Sequence, residues 1–464
     1  MGELLSASAA VILAAGHGKR MNSALPKVLH RLAGRTMLEY VVGAVQAAGV
    51  ALVVVVVGHG ADQVERNLPV GAESVRQADQ LGTADAVLSA RHLLHADRSL
   101  IDVVVAYGDC PLLTDAIFRA VIERRRQTGA AIALVMTTAE DPKGYGRVIR
   151  DADGLVQSIV EEAAATPSER SVSDINAGVY CFAADWLWDA LPRVQPSVTG
   201  EYFLTDLIGM ARRSSRIVQS IEASADVTSG VNDRLQLARA DRMLRDRIRE
   251  RLMLQGVTLV DPEATYIDDD VTIGVDTVIY PGTVIEGKTT IGSRGRIGPH
   301  SHIRASQIGN DVVVTQSVLE SSFVADRVQI GPFSHLRPGA RILDDAELGN
   351  YSEVKQSTIG AGTRIHHFSY VGDADIGPDV NIGAGTITCN YDAETGNKNK
   401  TVVERGASLG SDTMLVAPLH VGENAMTGAG SVVTADVEAE SLVVGVPARH
   451  VRQRRHRPMV VGSS

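Results

Sequence analysis

Aromatic residues, cysteine and positive charge are all scarce in this sequence. Phe, Tyr and Trp make up 4% of its 464 residues, with two Trp and six Phe, so ring stacking cannot be the main source of its cores and aliphatic packing has to replace it. The three cysteines, Cys110, Cys181 and Cys389, lie far apart in no CxxC or Cys/His spacing. That excludes a disulfide framework and a cysteine zinc site, and predicts a reducing, cytoplasmic setting. Lys and Arg number 45 against 55 Asp and Glu, a formal net charge of -10, which argues against a general nucleic-acid surface because phosphate neutralisation needs a basic face. An anionic ligand would need a local cationic site. No apolar run approaches ~20 residues, so no transmembrane helix is expected, and Met1 to Ala10 carries Glu3 and no basic residue, unlike a targeting signal.

Glycine is plentiful, at 44 residues. Its distribution follows a change of period along the chain. From Ala9 to about residue 225, short apolar runs alternate with amphipathic segments, the pattern of a mostly parallel sheet covered on both faces. The best strand candidates are Ala10 to Ala14, Leu52 to Val57, Asp102 to Ala106, Ala131 to Met136 and Gly178 to Phe182. Residues 231–255 form a helical connector, with Leu237, Ala240, Leu244, Ile248 and Leu252 on one stripe and arginines mixed with acids elsewhere, a composition that predicts a solvated face. Beyond Gly256 the period becomes six. Ile267, Ile273, Ile279, Ile285, Ile291, Ile297 and Ile303 form one unbroken series, and Val324, Ile330, Leu336, Ile342, Leu348 and Val354 form another, followed by Ile359/Ile365, Ile376/Ile382 and Leu409/Leu415/Val421. Neither helix nor ordinary strand repeats every six residues, but a chain wound into triangular coils brings every sixth residue inward, so this half is a β-solenoid. The repeat breaks between Ile387 and Val402, where a loop has to leave the solenoid wall. The organisation is therefore an α/β domain at 1–230, a linker at 231–255 and the solenoid with a basic tail at 256–464.

Two blocks carry chemistry. After the first strand candidate comes Leu13-Ala14-Ala15-Gly16-His17-Gly18-Lys19-Arg20-Met21, then Leu25-Pro26-Lys27. Small residues at a strand end let backbone N–H groups approach phosphate, and Arg20 and Lys27 can neutralise triphosphate charge. The loop is neither GxGxxG nor GxxxxGK(S/T); with the Arg-Met and Pro-Lys that follow, it resembles the signature of sugar-1-phosphate nucleotidyltransferases. Gln77, Gln80-Leu81-Gly82-Thr83, Tyr107-Gly108-Asp109-Cys110-Pro111, Gly144-Tyr145-Gly146-Arg147, Glu161, Asn176-Ala177-Gly178, Gly200 to Asp206 and Gly230-Val231-Asn232 follow in order. The second block is Ile365-His366-His367-Phe368-Ser369-Tyr370, upstream of Asn381-Ile382-Gly383-Ala384-Gly385 and the interrupting loop. Together with the solenoid, these motifs resemble the bifunctional bacterial N-acetylglucosamine-1-phosphate uridyltransferase/glucosamine-1-phosphate N-acetyltransferase family over practically the whole chain.

The resemblance implies a Rossmann-like nucleotidyltransferase domain, a connector helix and a left-handed parallel β-helix of hexapeptide repeats. It also implies a homotrimer with acetyl-CoA sites between subunits. Leu13, Ala14, Ala15, Gly16, Gln77, Gly82 and Thr83 would hold the uracil and ribose of UTP, in a site that includes Tyr107 and Gly108, with Lys27 on phosphate. Gly146, Glu161 and Asn176 would hold N-acetylglucosamine-1-phosphate, and Asp109 and Asn232 would hold Mg2+. On the solenoid, His367 would be the base that deprotonates the glucosamine-1-phosphate amine, since His titrates nearest neutrality. Arg337, Lys355, Tyr370 and Asn381 would bind the sugar phosphate, with Lys398 or Lys400 on the loop beside them. Ala384, Asn390, Tyr391, Ser411 and Ala429 would contact acetyl-CoA.

The sequence also departs from the family pattern. Ala163-Ala164 stand where many members have Lys-Asp, Asp233 replaces a frequent Asn, and the loop from Asp392 to Thr401 is longer than in some relatives. Gly445 stands where some members carry an Arg for CoA, leaving Arg449 or the Arg452 to Arg457 tail as substitutes. The rival readings are a nucleotidyltransferase whose solenoid only regulates or oligomerises, and a non-catalytic scaffold of the same two modules. The first is opposed by the His367/Asn381/Tyr391 block, the second by Arg20, Lys27, Asp109 and Asn232.

Overall fold

A computed structural model describes residues 7–95, 97, 99–197 and 200–453. Arg454, Arg455 and Arg457 of the basic tail, and the first six residues of the segment read for targeting, lie outside the described residues. The chain divides into two compact units after Leu244, inside the helix Arg234–Leu254.

In the first unit the strand candidates form one sheet. Ser8–Ala14, Leu52–Val57, Ala72–Arg76 and Asp102–Tyr107 are parallel, Ile132–Thr138 pairs in parallel with Val218–Glu222, and Asp174–Ala183 runs antiparallel between Asp102–Tyr107 and Ile132–Thr138. Burial on both faces explains the unbroken valine run at Leu52–Val57. Val53, Val55 and Val57 pack with Val41, Val42 and Phe118 from the helices Met37–Ala47 and Asp115–Thr128. Val54 and Val56 pack on the other side with Val87, Leu187 and Leu207. Helix Met37–Ala47 starts where Thr36 and Glu39 form a reciprocal capping box, which satisfies two otherwise orphaned backbone donors.

The second unit is a left-handed parallel β-helix. Strands of two to four residues pair in parallel with the third strand after them, building three sheets of 12, 10 and 9 strands, the first of which ends in Ser441–Gly445 and the antiparallel Ala448–Gln453. In one sheet Ile267, Ile285, Ile303, Leu319, Leu336, Val354 and Val371 lie in register on successive coils. All seven are at most 1% exposed, so the six-residue period marks the inward position of each short strand. The Ile-Gly pairs reflect close backbone approach at the corners. A Cβ on Gly292 would lie 2.6 Å from the carbonyl carbon of Gly309 on the next coil.

On the connector helix Arg239, Arg242, Asp246, Glu250 and Arg251 are exposed, as a solvated face requires, but Arg245 and Arg249 are drawn into the fold. Arg249 is 6% exposed, pairs with Asp246 and donates to the carbonyl of Pro262 at 2.6 Å; Arg245 reaches Asp268 at 3.7 Å. These guanidinium groups satisfy carbonyls of the first coil, a tertiary use that helical periodicity does not reveal.

Ile303 has no exposed surface, so Ile303→Ala should destabilise the solenoid by about 2–5 kcal/mol through lost transfer energy and a residual cavity. Urea unfolding of the variant checks this; a loss below about 1 kcal/mol would contradict the inward packing.

Candidate active sites on the two units

Parallel register assembles the first site. Leu13 is opposite Tyr107, so the glycine loop and Gly108-Asp109 leave adjacent strands at the same edge, and the Gly108 N–H donates to the Leu13 carbonyl at 2.9 Å. The Val231 N–H donates to the Asp109 carbonyl at 2.8 Å and brings Asn232 to the same edge. Gly18, at φ 59, lets the loop turn back toward Lys27.

Two cavities open there. One of about 390 Å3 is lined by Leu13, Ala14, Ala15, Gly16, Lys27, Gln77, Gly82 and Thr83, together with His17, which the sequence did not single out as a contact. The other, of about 1070 Å3, is lined by Arg20, Asn176 and Asn232 and also by Tyr145. Tyr107 and Asp109 belong to both. Gln77 is buried and donates to the Gly82 carbonyl at 3.1 Å and to Asp85 at 2.6 Å.

Four charged and polar groups interlock where the cavities meet. The Lys27 ammonium pairs with Asp109 Oδ2 and donates to Asn232 Oδ1 at 3.3 Å, while Arg20 donates to the same Asn232 oxygen at 2.9 Å. The Asp109 and Asn232 oxygens thus surround one cationic point. Hard oxygen donors of this kind fit a divalent ion that completes its shell with water and phosphate. Among the described residues no cluster of three or more His, Cys, Asp or Glu could hold a metal instead.

The expected sugar-binding residues also meet. Asn176 N–H donates to the Gly146 carbonyl at 2.9 Å, and a Cβ on Gly146 would lie 3.4 Å from Glu161 Oε2. Burial pushes the Glu161 carboxyl above its ordinary range, opposed by a hydrogen bond from Thr205 Oγ1 at 3.3 Å. The sequence missed the support behind them. Arg147 is 2% exposed, donates to the Tyr145 carbonyl and pairs with Glu162 at 2.6 Å, while Glu162 accepts from the Gly144 N–H at 3.3 Å. This clamp fixes the Gly144-Tyr145-Gly146 turn. Ala163-Ala164 lie in the turn that follows, where the Ala164 N–H bonds the Glu161 carbonyl at 2.9 Å.

On the solenoid, coil register creates a vertical alignment. Ile365 pairs with Ile382, Ile382 with Leu409, and Ser408 with Met426. Two residues past the inward positions, at one corner, stand His367, Ala384, Ser411 and Ala429 on successive coils. His366 and His367 differ sharply: His366 Nε2 is tied to Glu347 Oε2 at 2.7 Å, whereas the exposed His367 ring has no hydrogen-bond partner among the described residues.

A second alignment faces another edge, where Leu336, Val354 and Val371 are in register, so Arg337, Lys355 and Gly372 follow one another. The Tyr370 hydroxyl lies over Gly372, where a Cβ would collide with it. Arg337 pairs with Glu353 at 2.9 Å. The interrupting loop is a tight hairpin with a bridge between Tyr391 and Lys398, and its Asp392 accepts from Thr395 Oγ1 at 2.7 Å. It sets Lys398 against Lys355, and that neighbour holds the Lys355 ammonium below its ordinary pKa; Lys400 instead pairs with Asp375 at 2.5 Å. Asn390 is buried and hydrogen-bonds Asp373, while Tyr391 is 62% exposed. Asn381 is exposed between Arg364 and Ser408, on the sheet that leads to the His367 corner. Gly445 turns with φ 102 and Arg449, opposite Val444, is exposed.

Residues 10–205 match a family described as the MobA-like NTP transferase domain. The chain is 46% identical over 450 residues to the bifunctional protein GlmU of Geobacillus thermodenitrificans, covering 96% of this chain and 97% of that protein. It is 44% identical over 438 residues to the GlmU protein of Heliobacterium modesticaldum, covering 94% of each. With the one from Shouchella clausii it shares 42% over 442 residues, 95% of this chain and 96% of that one.

The raised Glu161 pKa gives a test of the site's electrostatics. A carboxyl raised in the folded state makes the folded protein bind more protons than the unfolded chain just above the unfolded value, so stability falls as pH rises through that window. Glu161→Gln should therefore raise the thermal midpoint of the first unit by a few degrees at pH 7 and by little at pH 4. Equal shifts at both pH values would show that Glu161 is not stored as a desolvated charge.

Proposed function

The chain belongs to the bifunctional GlmU family, and from that premise we propose how its residues divide the work. It is a bifunctional enzyme of UDP-N-acetylglucosamine biosynthesis. The β-helix acetylates glucosamine-1-phosphate from acetyl-CoA, and the nucleotidyltransferase unit joins the N-acetylglucosamine-1-phosphate so formed to UMP from UTP, releasing pyrophosphate. The product supplies peptidoglycan synthesis.

In the proposed acetyl transfer, the C2 amine attacks the thioester carbonyl and a C–N bond forms. His367 takes the amine proton, the C–S bond breaks and CoA leaves as its thiol. The observation that carries this assignment is the unpaired His367 ring at the head of the corner formed by Ala384, Ser411 and Ala429. His366 is engaged by Glu347 and serves poorly as a free base. Lys355 and Lys398 repel each other without a ligand, and a sugar phosphate between them relieves that repulsion. Arg337, Tyr370 and Asn381 complete this substrate site, and Asn390 and Tyr391 extend the acetyl-CoA site. Ser411 stabilises the oxyanion.

In the uridylyl transfer, a phosphate oxygen of N-acetylglucosamine-1-phosphate attacks the α-phosphorus of UTP and the bond to the β-phosphate breaks. Every reactant is an anion, so neutralisation and in-line placement matter more than a general base. Leu13 to Gly16, Gln77, Gly82 and Thr83 hold the nucleoside; Arg20 and Lys27 meet the phosphates; Gly146, Glu161 and Asn176 hold the sugar. Asp109 and Asn232 would hold Mg2+, which supplies positive charge to the phosphates when bound.

The same reading includes a cytoplasmic homotrimer. Its support on the chain is a row of exposed aromatics, Phe333, Tyr351 and Phe368, three residues past the inward positions on successive coils and beside the His367 corner.

One incubation of purified protein with glucosamine-1-phosphate, acetyl-CoA, UTP and Mg2+, analysed for both products, tests the assignment. His367→Ala should lower acetyl transfer by about 10^2- to 10^4-fold and spare uridylyl transfer from supplied N-acetylglucosamine-1-phosphate. Asp109→Ala should do the reverse. Loss of both activities in either variant would refute two independent sites.

A further inference from the structure

Tyr180 touches neither cavity and is 1% exposed, yet its hydroxyl connects two residues that do. The strand Asp174–Ala183 changes register between Asn176 and Tyr180, and within the bulge Gly178 adopts φ 72. Only glycine fits there, because a Cβ would collide with the Tyr107 ring as well as strain the backbone. The Tyr107 ring is therefore seated on the bulge, at the wall shared by the two cavities.

The hydrogen bonds around Tyr180 have a defined direction. Gly178 N–H donates to Asn176 Oδ1 at 3.1 Å, which fixes the orientation of the amide and turns Nδ2 to the Tyr180 hydroxyl oxygen at 2.6 Å. Tyr180 thus accepts from Asn176, and its own proton needs a buried acceptor. The Tyr107 phenol, its ring seated on the same bulge, is the group to which Tyr180 is electrostatically coupled. A Tyr107 oxygen that accepted from Tyr180 would leave its own O–H directed at the junction of the two cavities, which Tyr107 lines.

We propose that Tyr180 is a positioning residue: the chain Asn176 Nδ2–H to Tyr180 Oη–H to Tyr107 Oη locks a sugar-side amide to the wall between the cavities and directs the Tyr107 O–H at the ligand. Linked donors of this kind polarise one another and lose strength together when a middle member is removed. The proposal rests on the uridylyl-transfer reading of the same site.

Tyr180→Phe keeps the ring and removes only the link. It should lower kcat/KM for N-acetylglucosamine-1-phosphate about tenfold, mainly through KM, while the Kd for UTP stays within about threefold. A purely structural role would weaken both substrates together, and that result would overturn the proposal. In an Asn176→Ala background the Tyr180→Phe factor should shrink to about threefold or less, because residues acting through one network are not additive. An undiminished tenfold factor there would also overturn it. Should Tyr180→Phe fail to fold, Tyr107→Phe breaks the chain at its other end: the same selective loss for the sugar phosphate supports the proposal, and an unchanged kcat/KM refutes it. Wild-type protein without uridylyl transfer would instead refute the underlying functional reading, whereas an active wild type with additive variants refutes only the role of Tyr180.

Discussion

Parallel pairing in fixed register is the constraint on which both sites depend. In the first unit it places the C-terminal ends of Ser8–Ala14 and Asp102–Tyr107 side by side, so the glycine loop and Asp109 reach one edge from positions about ninety residues apart in sequence. In the solenoid the same constraint acts once per coil. Because Ile365, Ile382 and Leu409 stack inward, residues at equal offsets from them share a corner, and four residues spread from His367 to Ala429 form one continuous feature. A slip of one residue would send the inward aliphatics to solvent and dismantle that feature at the same time. Stability and site geometry are thus the same property of the backbone.

Much of this architecture was legible because burial leaves a periodic trace. The six-residue isoleucine series follows directly from an inward position on each short side of a coil, and the valine run Leu52–Val57 from a strand covered on both faces. Groups whose role depends on partners distant in sequence left no such trace. The Asn176–Tyr180 bulge is a matter of pairing register, not of composition. Arg147 lay within a recognised motif, but its burial against Glu162 depends on the return of the strand Val156–Val160. The arginines of the connector helix looked like a solvated face because nothing in the helical period shows that Arg249 caps carbonyls of the coil that follows. His366 and His367 illustrate the division: resemblance singled out His367, whereas the contact of His366 with Glu347, one coil earlier, depends on coil stacking that the sequence does not show.

In the proposed function the two sites would meet the phosphate anion by opposite electrostatic arrangements within a chain of net charge -10. In the first unit the cations are already paired. Lys27 is mostly buried, with 15% of its side chain exposed; it pairs with Asp109 and shares the Asn232 oxygen with Arg20, so its charge is compensated before any ligand arrives. In that reading Asp109 and Asn232 would hold a divalent ion, which would supply positive charge to the triphosphate, and Lys27 would meet phosphate beside them. In the solenoid the half-buried Lys355 and the exposed Lys398 crowd one another, a cost that water screens and that a phosphate bound between them would remove. The arrangements suit the solvent around each site. Buried uncompensated lysine would lose its charge or destabilise the fold, so the enclosed site needs its carboxylate partner. A pair screened by water tolerates like charge, and the hairpin from Tyr391 to Lys398 needs only to hold the second lysine within reach of the first.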